Sequence, residues 1–221
     1  MSPEIIRLIA SSTLDTLYMV AAATAIGTLI GLPLGVFLAT SKRGELLSAP
    51  LANSILGVIV NATRSTPFII LTVSIIPFTR LVAGTSIGTT AAIVPLAVAA
   101  TPFIARLVEG SIREVDQGLI EAARAMGASP LQILAKVLVP EALPGIVLGL
   151  TLAIVSLIGF SAIVGVVGGG GLGDLGIRYG YQRFMPDVMA AVVLVLILLV
   201  QGIQSLGDAL SRKLNKRVRH G

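Results

Sequence analysis

Four long stretches of this chain carry no charged side chain: Thr16 to Ser41, Leu81 to Ala105, Leu143 to Gly173 and Val188 to Gly207. A helix needs about 20 predominantly apolar residues to cross the hydrocarbon of a bilayer, and each stretch has room for one. The spacing predicts a first span over Thr16 to Ser41, a third within Leu81 to Ala105 bent by Pro95 and Pro102, a fourth over about Ile146 to Val164, and a fifth over Val188 to Gly207. A second span is expected from about Ile55 to Phe78, interrupted by Arg64 and Pro67. Glycines and Pro33 inside the first span are tolerable, because neighbouring helices can satisfy the freed backbone groups. With 55% hydrophobic and 12% charged residues, the composition excludes an ordinary soluble domain. The expected fold is all-α: a polytopic membrane helix bundle with five transmembrane helices, over residues 14–208. An N-terminal segment (1–13) precedes it and a basic tail (209–221) follows.

The formal charge of +5 does not point to nucleic acid, because the basic residues flank apolar runs and the chain has no Trp. One end of the expected bundle collects Lys42, Arg43, Arg106, Arg113, Arg124, Lys136, Arg212, Lys213, Lys216, Arg217 and Arg219; the other has Arg7, Arg80, Arg178 and Arg183. The positive-inside bias makes the first group cytoplasmic. The N-terminus is therefore expected outside and the tail inside. The opening residues do not read as a secretory signal, since the apolar run is too long and ends in Ser41-Lys42-Arg43 rather than at a small-residue cleavage site. The chain has no cysteine and a single histidine, His220, so neither a disulfide framework nor a Cys or His metal site is expected.

The longest polar interruption, Asp116 to Pro140, reads as two short helices outside the hydrocarbon whose ends both return to it. Gly127 stands where the first needs a residue tolerant of the left-handed conformation. Ser129, Pro130 and Gln132 restart a helix as N-cap, first-turn proline and closing member of a capping box. Glu121-Ala122-Ala123, then Gly127, then Val137-Leu138-Val139-Pro140 resembles the EAA loop of ABC-importer permeases, with Val137 and Val139 in place of that family's Ile and Leu. RSTPFIILTVSIIPFTRLVAGTSIG, IVPLAVAATPFIARLVEG, KVLVPEALPG and the GFSAIVG-to-GGGGLG run extend the likeness from about Leu14 to Asp208, and are similar to the methionine-uptake branch.

The resemblance implies a type I ABC importer permease fold with cytoplasmic coupling helices, in a bacterial inner membrane. It implies that Glu121, Ala122, Ala123, Arg124, Met126, Gly127 and Pro140 form the surface that meets an ATPase. It also implies a second copy of the chain, two cytoplasmic ATPase subunits that hold ATP and magnesium, an extracytoplasmic methionine-binding lipoprotein, and methionine of either hand as cargo. Regulation by internal methionine is expected on the ATPase. Arg64 is expected to line or brace the pathway or an inter-subunit seam; a snorkelling or ion-paired structural arginine is the alternative. Ser156, Phe160 and Ser161 offer the mixed apolar and polar surface that a thioether zwitterion needs, with plain helix packing as the alternative.

Gly168 to Gly173 lacks the Gly-Lys-Ser/Thr ending of a phosphate-binding loop, and is expected to give turns and close helix approach. No Ser/His/Asp or Cys/His set occurs in the chain. An enzymatic role therefore has little to work with, and a cofactor on this chain is not expected. Importers of another amino acid or a small osmolyte, and a membrane scaffold that recruits a partner without moving solute, are the competing readings.

Overall fold

The computed structural model describes residues 3–215. Lys216, Arg217, Arg219 and His220, counted above in the basic tail, lie outside the described residues. Among those described, every regular element is helical. They are α1 (Pro3–Thr40), α2 (Pro50–Ser65), α3 (Phe68–Ser74), α4 (Ile76–Ala83), α5 (Thr89–Arg113), α6 (Gln117–Ala125), α7 (Pro130–Ile133), α8 (Val139–Val166), α9 (Gly171–Leu175) and α10 (Pro186–Leu214). Wider π-helical turns occupy Leu134–Leu138 and Gly176–Tyr181. Four helical stretches are long and apolar enough to cross a membrane: α1, α5, the continuous run Pro130–Val166, and α10. The pair α2 and α3 makes a fifth if taken together, bent by 104°.

The central packing is α1 on α5. Gly27, Gly31 and Gly35 lie one turn apart on one face of α1 and are buried. A Cβ on Gly27 would sit 2.7 Å from the Ala100 Cβ, and one on Gly31 would sit 2.7 Å from the Thr101 carbonyl oxygen. Without a shared hydrophobic drive in lipid, such small-residue stripes let backbones approach closely enough for dispersion to hold them. Because Gly27, Gly31 and Gly35 meet Ala100, Thr101 and Ala105 in ascending order, α1 and α5 run parallel. Gly145 and Gly149 of α8 meet Ser111 and Leu107 in the reverse order, so α8 runs antiparallel to α5. On α10, Gly207 meets Thr151 and the Ser211 hydroxyl donates to the Pro144 carbonyl at 3.0 Å, again antiparallel to α8. The first and last described helices therefore begin and finish at opposite ends of the bundle.

Several expected boundaries shift. Of the segment expected over 1–13, residues 3–13 are no separate piece: they belong to α1, one helix of 38 residues, about 57 Å at about 1.5 Å per residue. Its first turns hold because Ile5, Leu8 and Ile9 pack on a cluster of Leu172, Leu175, Val188 and Val192. The third span starts later than its uncharged window and continues past Ala105 to Arg113, because its charges pair within the helix. The second span breaks at Thr66-Pro67. Proline disfavours helical geometry in the residue before it, and Thr66 is extended there (ψ 125).

The glycine-rich stretch is not an open loop either. Residues Gly171–Leu175 and Gly176–Tyr181 are helical, and Gly171, Leu172, Leu175, Gly176 and Gly180 are buried. Its close approaches to neighbouring helices are the expected use of glycine. Hydrogen bonds fasten it to two helices: the Gly88 amide, at the cap of α5, donates to the Gly168 carbonyl at 2.9 Å, and the second bond goes to α1. The Leu172 amide donates to Thr16 Oγ1 on α1 at 2.9 Å, while that hydroxyl donates to the Ser12 carbonyl at 3.0 Å. Thr16→Val keeps the shape but leaves a buried amide unsatisfied, which costs about 1–3 kcal/mol. Thermal unfolding in detergent should show the loss for Thr16→Val and near-native behaviour for Thr16→Ser.

Candidate functional site

The polar stretch folds as expected at its turn. Asp116 caps α6, its Oδ1 accepting from the Gly118 amide at 2.7 Å. At the other end of α6 the Gly127 amide donates to the Arg124 carbonyl at 2.9 Å, and the Ala128 amide to the Ala123 carbonyl at 3.0 Å. With Gly127 at φ +79, this is a full Schellman closure. Ser129 and Gln132 then form the capping box: the Ser129 amide donates to Gln132 Oε1 at 2.9 Å and the Gln132 amide to Ser129 Oγ at 3.4 Å.

The second arm differs from the expected short helix. From Pro130 the chain continues without a stop to Val166. Pro140 has no amide to give the Lys136 carbonyl and its ring crowds that position, which ordinarily kinks a helix. The π-helical turn over Leu134–Leu138 widens the backbone just before it, and the helix passes through.

Two faces of this helical hairpin are distinct. Ala123 and Ile133 are buried, with Ile120, Ala128 and Leu134 beside them, all joined to the core that includes Ile112, Val115 and Leu138. Glu121, Ala122, Arg124 and Pro140 are exposed, and Met126 and Leu131 are 82% and 67% exposed. Of the residues expected at the docking surface, Ala123 thus faces the bundle and anchors the hairpin. The outward surface carries Glu121, Ala122 and the deformable apolar Met126, whereas Arg124, one turn on from Ile120, lines a cavity with Ile112, Val115 and Leu138 on the bundle side. Leu131 joins the outward surface, although sequence reasoning did not name it.

The pathway candidates separate. Arg64 lies in the last turn of α2, where a cation suits the helix C-terminus, and its guanidinium stands 5.8 Å from the centre of the Phe103 ring. Just past the break, Phe68 stacks on Phe160 with centroids 4.4 Å apart and planes 12° from parallel. Ser156 lies one turn from Phe160 on the same face of α8 and is partly exposed. Ser161 is buried, and its hydroxyl donates to the Ile158 carbonyl at 2.7 Å, as the Ser156 hydroxyl does to the Leu152 carbonyl at 2.8 Å. A break in a membrane helix frees backbone groups that need a cavity or protein around them. In transporters, substrate sites are built at such discontinuous helices. The signal for this break was present in Thr66-Pro67.

Sequence reasoning also missed a polar knot on α5. Arg106, Glu109 and Arg113 read there as charges leaving the span. In the structure Glu109 is 7% exposed and holds both arginines, Arg113 at 2.7 Å. The i+3 and i+4 spacing of the three was the available sign.

The chain matches the family model described as "binding-protein-dependent transport system inner membrane component" over residues 31–220. It is 55% identical over 210 residues to the probable D-methionine transport system permease protein MetI of Vibrio cholerae serotype O1, covering 95% of this chain and 93% of that one. It is 48% identical to the corresponding protein of Pasteurella multocida, over 98% of this chain and all of the relative. Among solved structures it is similar to inward-facing conformations of the MetNI methionine ABC transporter, with a TM-score of 0.94 and 48% identity over 97% of this chain and 99% of the other. The resemblance first carried by Glu121-Ala122-Ala123, Gly127 and Pro140 is borne out at the level of the family, and the all-α membrane bundle with it. The chain belongs to the family of inner membrane components of binding-protein-dependent transport systems.

Proposed function

We propose that this chain is the permease subunit of an ATP-driven methionine importer, coupled to a separate ATPase through the hairpin at 116–140. One observation carries the coupling. A bundle with no nucleotide motif of its own presents, at one end, a folded hairpin whose inner face is packed and whose exposed residues include Glu121, Met126 and Leu131. Large apolar side chains exposed together outside hydrocarbon mark a place for a partner. The cargo rests on the relatives, whose names give D-methionine transport.

Two copies of the chain are part of this reading. A groove between α8 and α10, lined by Val155, Ile158, Gly159, Leu196 and Val200, also carries Gln201 and Gln204. Both glutamines are exposed on an otherwise apolar span, and bare amides facing lipid are unfavourable. A second copy or the pathway between copies would cover them. The break at Thr66-Pro67, with Arg64, Phe160 and Ser156, is the proposed pathway lining. ATP and magnesium belong to the ATPase pair, and an extracytoplasmic binding protein delivers the cargo. The ATPase end is cytoplasmic and the N-terminus is outside, which follows from the bias of Lys42, Arg43, Arg124, Lys136, Arg212 and Lys213 to the hairpin end. Closing of the ATPases on ATP then favours one of two bundle arrangements.

The test is reconstitution in vesicles with the partner ATPase and binding protein. ATP-dependent uptake of labelled L- and D-methionine is expected, with other amino acids competing poorly. Uptake of neither enantiomer would overturn the cargo. Hydrolysis indifferent to the permease would overturn the coupling.

A further inference from the structure

The first half of the second span, α2, has little apolar grip on the rest of the chain: only its Val60 is buried. What fastens it is polar. Arg106, on α5, donates to the Gly57 carbonyl at 3.0 Å and to Asn61 Oδ1 at 2.9 Å, both on α2. Asn53, also on α2, donates to the Leu38 carbonyl and to Ser41 Oγ, each at 2.9 Å. Arg113 donates to that same Leu38 carbonyl at 3.2 Å. Leu38 lies in the last turn of α1, where carbonyls have no partner within the helix. The amide of Lys42, which could have served, donates instead to Glu45 Oε2. Three helices therefore meet at one orphan carbonyl.

Glu109 organises this meeting. Its two carboxylate oxygens take Arg106 and Arg113 separately, aiming one guanidinium at α2 and the other at α1. A buried carboxylate is unfavourable unless fully paired, and here each oxygen has its own arginine. An apolar residue would fill the space but would leave both arginines free to turn. The place matters as much as the geometry: Arg113 is the last residue of α5, and the cap of α6, Asp116, follows three residues later. Whatever moves the hairpin moves this root first. At its far end α2 leads into the break at Thr66-Pro67 and the Phe68–Phe160 stack.

We propose that Glu109 is a positioning residue: by holding Arg106 and Arg113 it joins the hairpin root to α1 and α2, so that displacement of α6 reaches the broken second span. This rests on the importer reading above. Glu109 touches neither cargo nor nucleotide; it acts through the two arginines. Its role is separable from stability, because Asn61 can be altered to remove the side-chain half of the α2 arm, leaving the bond to the Gly57 carbonyl and the Glu109 pairs intact.

The experiment uses the assembled transporter in vesicles. For Glu109→Gln, ATP hydrolysis should stay within about two-fold of wild type while uptake per ATP falls about ten-fold, a size ordinary for coupling between sites; Asn61→Ala, which leaves the Gly57 carbonyl bond, should give a smaller fall in the same direction. Glu109→Asp, which keeps the charge, should recover part of the loss. Because the chain has no cysteine, Ser65→Cys at the end of α2 adds a readout that needs no cargo. Its alkylation rate should change when the ATPase binds nucleotide, and that response should vanish with Glu109→Gln. Should Glu109→Gln fail to assemble, Asn61→Ala decides by both readouts. An unchanged uptake-to-hydrolysis ratio in the assembled variants, or a nucleotide response at position 65 that is absent in wild type or survives the substitutions, overturns the proposal. Missing methionine uptake in wild-type vesicles with a normal response at position 65 would instead count against the cargo.

Discussion

Gly31→Leu is expected to remove most of the folded protein from the membrane. A Cβ at Gly31 already lies 2.7 Å from the Thr101 carbonyl oxygen and 3.2 Å from two Ile104 carbons. The oxygen belongs to the backbone and cannot rotate aside, so α1 must retreat from α5. Overfilling a packed site ordinarily costs about 1–3 kcal/mol and occasionally more. Here the retreat also opens the contacts at Gly27 and Gly35, in the most extensive helix pair of the bundle, and the cost should reach the top of that range. Gly31→Ala should give a smaller loss in the same direction. Gly110, on α5, has nothing within 4 Å of its added Cβ and no positive φ. Gly110→Ala should therefore be neutral or gain up to about 1 kcal/mol from helix propensity. Thermal unfolding of the purified permease in detergent ranks the three. Equal behaviour of Gly31→Leu and Gly110→Ala would mean that the α1–α5 contact does not hold the bundle together.

Much of this architecture was legible because lipid offers the backbone no hydrogen bonds. An uncharged run of span length then has one local solution, the helix, and the four runs anchored near Thr16, Leu81, Leu143 and Val188 each contain one. The turn at Gly127 and the restart at Ser129-Pro130-Gln132 were legible for a second reason: caps are short-range chemistry, written within four residues. What was not legible depends on distant partners. The first turns of α1 look like a separate segment until Leu172 and Val188 supply an apolar surface for Ile5, Leu8 and Ile9. Pro140 reads as a helix boundary until the π-helical turn over Leu134–Leu138 absorbs it. Ala122 and Ala123 look alike in sequence, yet one is exposed and the other is buried against the bundle. Arg106, Glu109 and Arg113 read as an exit from the membrane because the carbonyl that receives one of them, that of Leu38, is 75 residues away along the chain.

The second large effect is functional: Gly127→Val and Glu121→Lys should each abolish ATP-dependent uptake while leaving the permease in the membrane, and for different reasons. No atom lies within 4 Å of a Cβ at Gly127, so volume is not what the position excludes. Its φ of +79 is, and an L-residue held in that region costs about 1–2 kcal/mol. A β-branched side chain is less tolerant still. At about 2 kcal/mol the closed turn loses roughly 30-fold in population against opened forms, and the Arg124 and Ala123 carbonyls lose their amides. Asparagine visits the left-handed region more readily, so uptake should fall in the order Gly, Asn, Ala, Val. Glu121 is exposed and has no such backbone duty, so its reversal should leave thermal stability within about 0.5 kcal/mol. If Glu121→Lys stops uptake at unchanged stability, the outer face of α6 meets a partner. If only the Gly127 series responds, the hairpin matters as a rigid root for α8 and the partner grips elsewhere. Intact transport in Gly127→Val and Glu121→Lys together would remove the hairpin from the path of force altogether. The exposed Met126 would then need another explanation.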